Sequence, residues 1–465
     1  MFSIAAQGRN QIILKRRVSV IQINKKQFYS ILFPTAVESI FNQLFTLVDN
    51  IMVGHIPDST VSVAAISLCS APLNLVICVL SAFFIGTTAA VAWYYGANDE
   101  KKMNETAQQS LMLSVYFGVA VSVIAYVFAP QIMGFVCGKS ETLVTATVYY
   151  RTNAIGFFFQ SCAVCVTAAF RGKGITKIPM AYNIFGNALN VSLNYILIYG
   201  KLGFQPMYVR GAAVATVISK VVIFVISISF FIFYKNGFPC RRENISLRLS
   251  DHVKHRMMRI GAASACEQLV LQLGATLTAK IISVLPTNQI AALQITSNLE
   301  ALAWSTGDAC CTSATALFGK SLGEGSEQKA RGYLRLSEIW ALLFSFAEIL
   351  IFCFCGGIIC RLFTNDTSIY GSIVSLLKIT AVGLPFINTH KTVSGALRGA
   401  GDSVAPLISS LISLWIFRVL LGYILISVMN MGAPAYRWCL NVDQFVRMTA
   451  MLIFYFSGHW KKYTK

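Results

Sequence analysis

Long apolar stretches broken by short polar segments recur along this chain. They run over 28–53, 62–95, 107–129, 142–167, 180–200 and 211–234, then over 259–284, 289–318, 336–362, 370–390, 406–428 and 440–457. A hydrocarbon core about 30 Å thick takes about 20 helical residues at 1.5 Å each. Each stretch is close to that length or longer. Apolar residues are continuous within them and do not alternate with period two, which predicts helices and not barrel strands.

The second six stretches repeat the first. Ala169-Phe-Arg-Gly-Lys-Gly-Ile-Thr-Lys-Ile-Pro179 recurs 227 positions later as Ala396-Leu-Arg-Gly-Ala-Gly-Asp-Ser-Val-Ala-Pro406, with Arg, both Gly and Pro in step. Tyr95-Gly96-Ala97, read as the turn after the second helix, matches Phe318-Gly319-Lys320, and Glu38 matches Glu267. The pattern predicts an all-α integral membrane protein: twelve transmembrane helices in two pseudo-symmetric six-helix lobes. Its expected divisions are a tail over 1–27, lobes over 28–234 and 259–465, and a linker over 235–258. Six is even, so both lobes enter from the same side, with a path between them. The R-G-x-G segments read as turns, since glycine tolerates positive φ and the following proline opens the next helix.

Composition agrees with a lipid setting. Hydrophobic residues make up 55% and charged residues 12%, against about 25% charged in soluble domains. The net charge of +19 raises nucleic acid as a partner, but its distribution points elsewhere. Most Lys and Arg fall in the tail, the linker and the other inner loops. The outer loops hold Lys139, Lys201, Arg210, Arg361 and Arg437. This is the positive-inside pattern, which predicts cytoplasmic termini and linker in a multi-pass plasma-membrane protein that binds no nucleic acid. The first 27 residues carry six bases and no apolar core leading to a cleavage site, so no cleavable signal peptide is expected. The cysteines lie mostly inside apolar helices. Cys162 and Cys165 form a C-x-x-C without further ligands, which reads as buried packing.

Several segments together resemble the multidrug and toxic compound extrusion (MATE) transporters over about 28–460. They are Pro34 with Glu38, Leu47-Val-Asp49-Asn-Ile-Met-Val-Gly54, Ala291-Ala-Leu-Gln294, the two R-G-x-G segments, Trp415-Ile-Phe-Arg418 and Ser457-Gly-His-Trp460. The resemblance implies a V-shaped pair of lobes around a central cavity. It also implies export of cationic amphipathic compounds in exchange for protons or sodium ions, without a cofactor, by a chain expected to act as a monomer. There are departures. Gly261-Ala-Ala-Ser264 stands where the family often has proline, and Thr389-His390-Lys391 is unusually polar for the tenth helix. Asn194 stands where some proton-coupled members carry an acid. The coupling ion therefore stays open.

An ionisable residue at mid-bilayer costs about 2.5–3.5 kcal/mol on insertion scales, so each needs a reason. Those singled out within the predicted spans are Glu38, Asp49, Arg151, Lys220, Glu267, Lys280, Glu300, Asp308, Glu348, Lys378, Arg418, Asp443 and Arg447. Arg151, Lys378 and Asp443, near span ends, read as snorkelling. Asp49 matches the family's cation-binding acid, and the repeat places Thr278 at its counterpart. Asn187, Asn190 and Asn194 share one face of the fifth helix, while Asn190 and Asn194 have Phe417 and Leu421 as counterparts. Asp49, Asn190 and Asn194 are therefore the expected coupling site, with interhelical polar bonding as the plainer alternative. A carboxylate with two amides can carry a proton or ligate an alkali cation. Glu38 and Glu267 read as either cavity-facing acids or structural bonds, and Glu300 with Asp308 as a possible second cation site. Trp93, Tyr94, Tyr95, Trp438 and Trp460 suit an interfacial belt. A flippase for a lipid-linked or polyanionic substrate is the competing function and would want a basic cavity. An integral-membrane enzyme would need a catalytic cluster, and none is evident.

Reporter fusions after Lys465 and near Glu243 should both score as cytoplasmic. A periplasmic signal at either point contradicts the twelve-span topology.

Overall fold

The computed structural model describes residues 23–54, 59–138, 142–239, 249–363 and 369–463. The tail to residue 22, Lys139, and the linker positions Arg241, Arg242 and Arg248 lie outside them. Among the described residues the chain is helical with no strands, and twelve helices are long. The first six are α1 (Lys25–Gly54), α2 (Ser59–Gly96), α3 (Glu100–Val127), α4 (Thr142–Gly172), α5 (Lys177–Tyr199) and α6 (Tyr208–Phe233). The second six are α7 (Arg259–Ile282), α8 (Thr287–Gly323), α9 (Glu327–Phe354), α10 (Tyr370–Ala400), α11 (Val404–Val428) and α12 (Ala433–Phe456). A π-helical turn, Val253–Met258, leads into α7, and α11 contains π-helical stretches at Ser413–Leu420 and Ile424–Val428.

All twelve predicted spans correspond to these helices, but several boundaries move. α9 begins at Glu327, and the expected 336–362 span merged its end with a separate short helix, Gly356–Phe363. α10 runs on to Ala400 and α12 starts at Ala433. The turns added to α9 and α10 are polar, and apolarity alone marks only the part of a helix that suits hydrocarbon. By length and apolarity together, eight of the twelve qualify as membrane spans. The other four, α5, α7, α8 and α12, carry the asparagines, Glu267, Glu300 with Asp308, and Asp443 with Arg447. Such helices need neighbours that accept their polar faces.

The repeat is visible in the packing. α4 packs against α2, α3 and α6, as α10 packs against α8, α9 and α12. Thr88 Oγ1 donates to Ala168 O at 3.0 Å, and its counterpart Thr315 Oγ1 donates to Gly395 O at 2.9 Å. The turn reading of R-G-x-G holds for the second glycine only. Gly174 and Gly401 take positive φ, 81° and 104°. Gly172 and Gly399 stay helical, and a Cβ there would lie 2.7 Å from Thr88 O and 2.5 Å from Thr315 O. These glycines let the central helix of each lobe approach its neighbour. Phe318-Gly319-Lys320 is likewise no turn, because α8 continues to Gly323.

The lobes meet through α1 and α2 against α7 and α8. A Cβ on Gly86 would strike Met257 O, and one on Gly261 would strike Phe83 O. Gly96 stands in the same relation to Lys320 O, and Gly323 to Trp93 O. These backbone approaches lie where α1 and α7 begin and α2 and α8 end. Further along, α1 and α8 flank a cleft of about 520 Å³. Trp460, expected at the interface, is buried against Phe318 and Tyr455.

Gly323→Ala should destabilise the protein by about 1–3 kcal/mol through overpacking against Trp93. Gly357→Ala, with nothing within 4 Å of the added methyl, should be near neutral. Apparent melting temperatures in detergent compare the two.

Candidate functional site

α1 and α5 run in the same direction and bond through a ladder of polar side chains. Asn183 Nδ2 donates to Glu38 Oε1 at 2.6 Å, Asn187 Nδ2 to Asn42 Oδ1 at 2.6 Å, and Asn194 Nδ2 to Asp49 Oδ1 at 2.9 Å. Every rung joins residues 145 apart. Successive rungs are four and seven residues apart on both helices, so they line one face of each. Tyr199 closes the seam, its hydroxyl donating to Met52 O at 2.8 Å. The equivalent seam between α7 and α11 keeps one rung, Ser410 Oγ to Glu267 Oε1 at 2.9 Å. Beyond it stand Leu271 and Leu414, and then Thr278, whose buried hydroxyl has no partner.

The structure therefore brings Asp49, Asn190 and Asn194 together. One amide atom of Asn190 lies 3.1 Å from Asp49 Oδ2. As nitrogen it donates to an ionised Asp49, while the amide oxygen accepts from Thr216 N at 3.2 Å. As oxygen it can accept from a protonated Asp49, and it already accepts from Asn194 Nδ2 at 3.2 Å. The first orientation also sets the Asn190 nitrogen 3.2 Å from Asn194 Nδ2, donor against donor, whereas the second keeps that contact a hydrogen bond. Asp49 has no basic partner among the described residues. Glu38, by contrast, is buried and answered by Arg171 Nη2 at 2.9 Å.

That ion pair repeats. Glu267 pairs with Arg398 Nη2 at 2.6 Å. Each lobe thus joins a Glu on its first helix, the Arg of R-G-x-G at the end of its fourth, and a polar residue on its fifth. Of the two readings open for Glu38 and Glu267, the structural bond is the observed one. Sequence reasoning gave these arginines no role beyond the turn. Their separation, 227 against 229 for the two glutamates, was the signal that could have joined them.

Glu300 and Asp308 do not form a shared acidic pair. Glu300 accepts from Arg437 Nη2 at 2.7 Å, and Asp308 from Lys391 Nζ at 2.6 Å. Arg437, expected in an outer loop, is instead buried in α12, where Thr380 also accepts from it. Asp443 does not snorkel. It is fully buried and accepts from Ser413 Oγ at 2.6 Å and Arg447 Nε at 3.0 Å. Glu348, left without a role by sequence, accepts from Thr306 Oγ1 at 2.7 Å and Asn388 Nδ2 at 3.5 Å. Among the described residues no group of His, Cys, Asp and Glu could hold a metal ion.

The model of the MatE family matches residues 34–196 and again 263–424, once in each lobe. The chain belongs to the MatE family. Among its relatives is the probable multidrug resistance protein NorM of Thermotoga maritima, 29% identical over 441 residues, or 94% of this chain and 93% of that protein. The uncharacterized transporter YisQ of Bacillus subtilis is 24% identical, covering 93% of this chain and 94% of its own. An outward-facing multidrug resistance MATE transporter of the MOP superfamily superposes with TM-score 0.86 at 23% identity, covering 94% and 97%. A MOP superfamily transporter from Pyrococcus furiosus gives 0.86 at 22%, covering 96% and 99%. These likenesses establish the two-lobe fold, and MatE membership makes the chain a membrane efflux transporter. As a MatE protein it carries the polar α1–α5 seam in one lobe and the Glu–Arg tie in both.

Arg171→Gln should destabilise the folded protein by about 3–5 kcal/mol, because Glu38 loses its buried counter-charge. Glu38→Gln with Arg171→Gln should recover much of that loss. A double-mutant cycle on melting in detergent measures the coupling, and additive losses would show that the two side chains do not interact.

Proposed function

We propose that this protein is a secondary antiporter that exports cationic amphipathic compounds across the plasma membrane in exchange for protons or sodium ions. In this reading Asp49, Asn190 and Asn194 take the coupling ion. The observation that carries it is a carboxylate within reach of two amides and lacking a base, in a structure where Glu38, Glu267, Glu300, Asp308 and Asp443 each have one. A proton on Asp49 turns it from acceptor to donor toward Asn190. A sodium ion would instead be held by the carboxylate and amide oxygens, the hard donors it prefers. Either event changes the bonds at the far end of the α1–α5 seam while the Glu38–Asn183 rung stays in place. The pivot so defined lets α1 shift against α5.

The lobes, 28–234 and 259–465, work as one monomer with both termini and the 235–258 linker cytoplasmic. With that orientation, the glycine-mediated contacts of α2 with α7 and α8 close the cytoplasmic side. The cleft beyond them presents Ser39, Asn42, Gln43 and Thr46 on one wall and Glu300, Trp304 and Asp308 on the other. Carboxylates beside an aromatic face suit a cationic amphiphile. A flippase for a lipid-linked or polyanionic substrate would meet those same carboxylates in the cleft, which disfavours it.

Asp49→Asn should abolish ion-driven ethidium efflux from a pump-deficient host while leaving expression and insertion intact. The wild type, in everted vesicles, should transport with an imposed pH gradient at zero sodium, or with a sodium gradient at uniform pH. The gradient that works names the ion. Efflux by the Asn variant at the wild-type rate removes Asp49 from the coupling role.

A further inference from the structure

Beside the central cleft, the C-terminal lobe encloses a second cavity of about 280 Å³, walled by α7, α8, α10, α11 and α12 with one edge of α2. Trp304 and Asp308 line both spaces, so the two adjoin. The charged side chains lining the cavity are Lys391, Arg398, Arg418 and Arg447 against Glu267 and Asp308. Glu267 answers Arg398 and Asp308 answers Lys391. Arg447 bonds Asp443 through Nε, but its Nη2 has no partner although the side chain is only 2% exposed. Arg418 has no carboxylate in ion-pair contact among the described residues; it lies near Tyr436, and its Nε is unpartnered. Asp443 and Glu300 lie farther from it, each already paired, with Arg447 and Arg437. Arg398 Nε is unpartnered as well.

We propose that this cavity is an anion subsite, in which Arg418 and Arg447 take the carboxylate or phosphate group of an organic substrate. Buried guanidinium N–H groups are rarely left without acceptors. Here three arginines around one space each keep a covered N–H without an acceptor, and one of the three has no carboxylate in ion-pair contact. A carboxylate or phosphate supplies oxygens in the fork geometry guanidinium groups match best. A cation entering the same space would meet Arg418 without a compensating acid. The wide π-helical stretch Ser413–Leu420 carries Arg418, and π segments often mark functional positions in helices. The acids Glu338 and Glu348 do not line the cavity. Lys391, whose Nζ lies 4.1 Å over the Trp304 ring, stands where cavity and cleft adjoin. An occupant can therefore place its negative group in the cavity and its aromatic or cationic body in the cleft. The word substrate rests on the exporter reading; the anion site itself does not.

The test is isothermal titration of the purified full-length protein in detergent, without any ion gradient. Benzoate and phenyl phosphate are the probes, and benzylammonium is the control. At least one anion should bind saturably and more tightly than benzylammonium, and the tighter of the two names the group. Arg418→Gln should weaken that binding at least tenfold, while Arg151→Gln, far along α4, should leave it within twofold. Should Arg418→Gln fail to fold, Arg447→Lys keeps a positive charge near Asp443 but loses the guanidinium fork, and it should weaken binding in the same direction. Absence of saturable anion binding, or binding indifferent to both substitutions, overturns the subsite. Loss of ethidium efflux with anion binding intact would instead remove the exporter reading and leave the subsite standing.

Discussion

A charge placed at membrane depth has to be answered by another side chain, because lipid offers no hydrogen bonds. Much of this structure follows from that demand. The answering group usually sits on a different helix, so each pairing ties two helices at a fixed height. Glu38 with Arg171 ties α1 to α4, and Glu267 with Arg398 ties α7 to α10. Glu300 with Arg437 ties α8 to α12, and Asp308 with Lys391 ties α8 to α10. Lys220, with no acid nearby, lies 5.5 Å from the centre of the Phe157 ring instead. Buried pairs are weak evidence of net stability but costly to break singly. What they provide is register between helices whose apolar faces alone would allow sliding.

Glycine supplies the second requirement. Gly172 and Gly399 bring the ends of α4 and α10 against α2 and α8. From that fixed position the neighbouring Arg171 or Arg398 reaches across with its long side chain to the glutamate of α1 or α7. The same Arg-Gly pair recurs in both repeat units.

Much of the fold was legible because hydrophobic length and internal repetition are properties of the chain itself. The twelve helices and the two lobes followed from spacing, while the grouping of Asp49 with Asn190 and Asn194 followed from the family resemblance together with the helical spacing of the asparagines. What was hidden depends on partners. R-G-x-G looked like a turn since its glycines suggested positive φ, and only the second of each has it. Glu300 and Asp308 looked like a pair since eight residues bring them to one face of α8, but helical phase does not reveal what the neighbouring helix carries. Asp443 and Arg437 looked peripheral because the last helix was drawn to start near them, while α12 begins at Ala433 and its neighbours bury both residues.

The duplication makes the differences between the lobes informative. Both retain the Glu–Arg tie, so the tie belongs to the scaffold inherited by each half. Past that level the halves diverge. The N-terminal lobe lines its seam with amides and leaves Asp49 without a base. The C-terminal lobe replaces Asp49 by Thr278 and the amides by Phe417 and Leu421, and lines its own cavity with Arg418 and Arg447. In the exchange proposed above, Asp49 offers a small cation or proton an acid without a base, while Arg418 offers an anionic group a base without an acid in ion-pair contact.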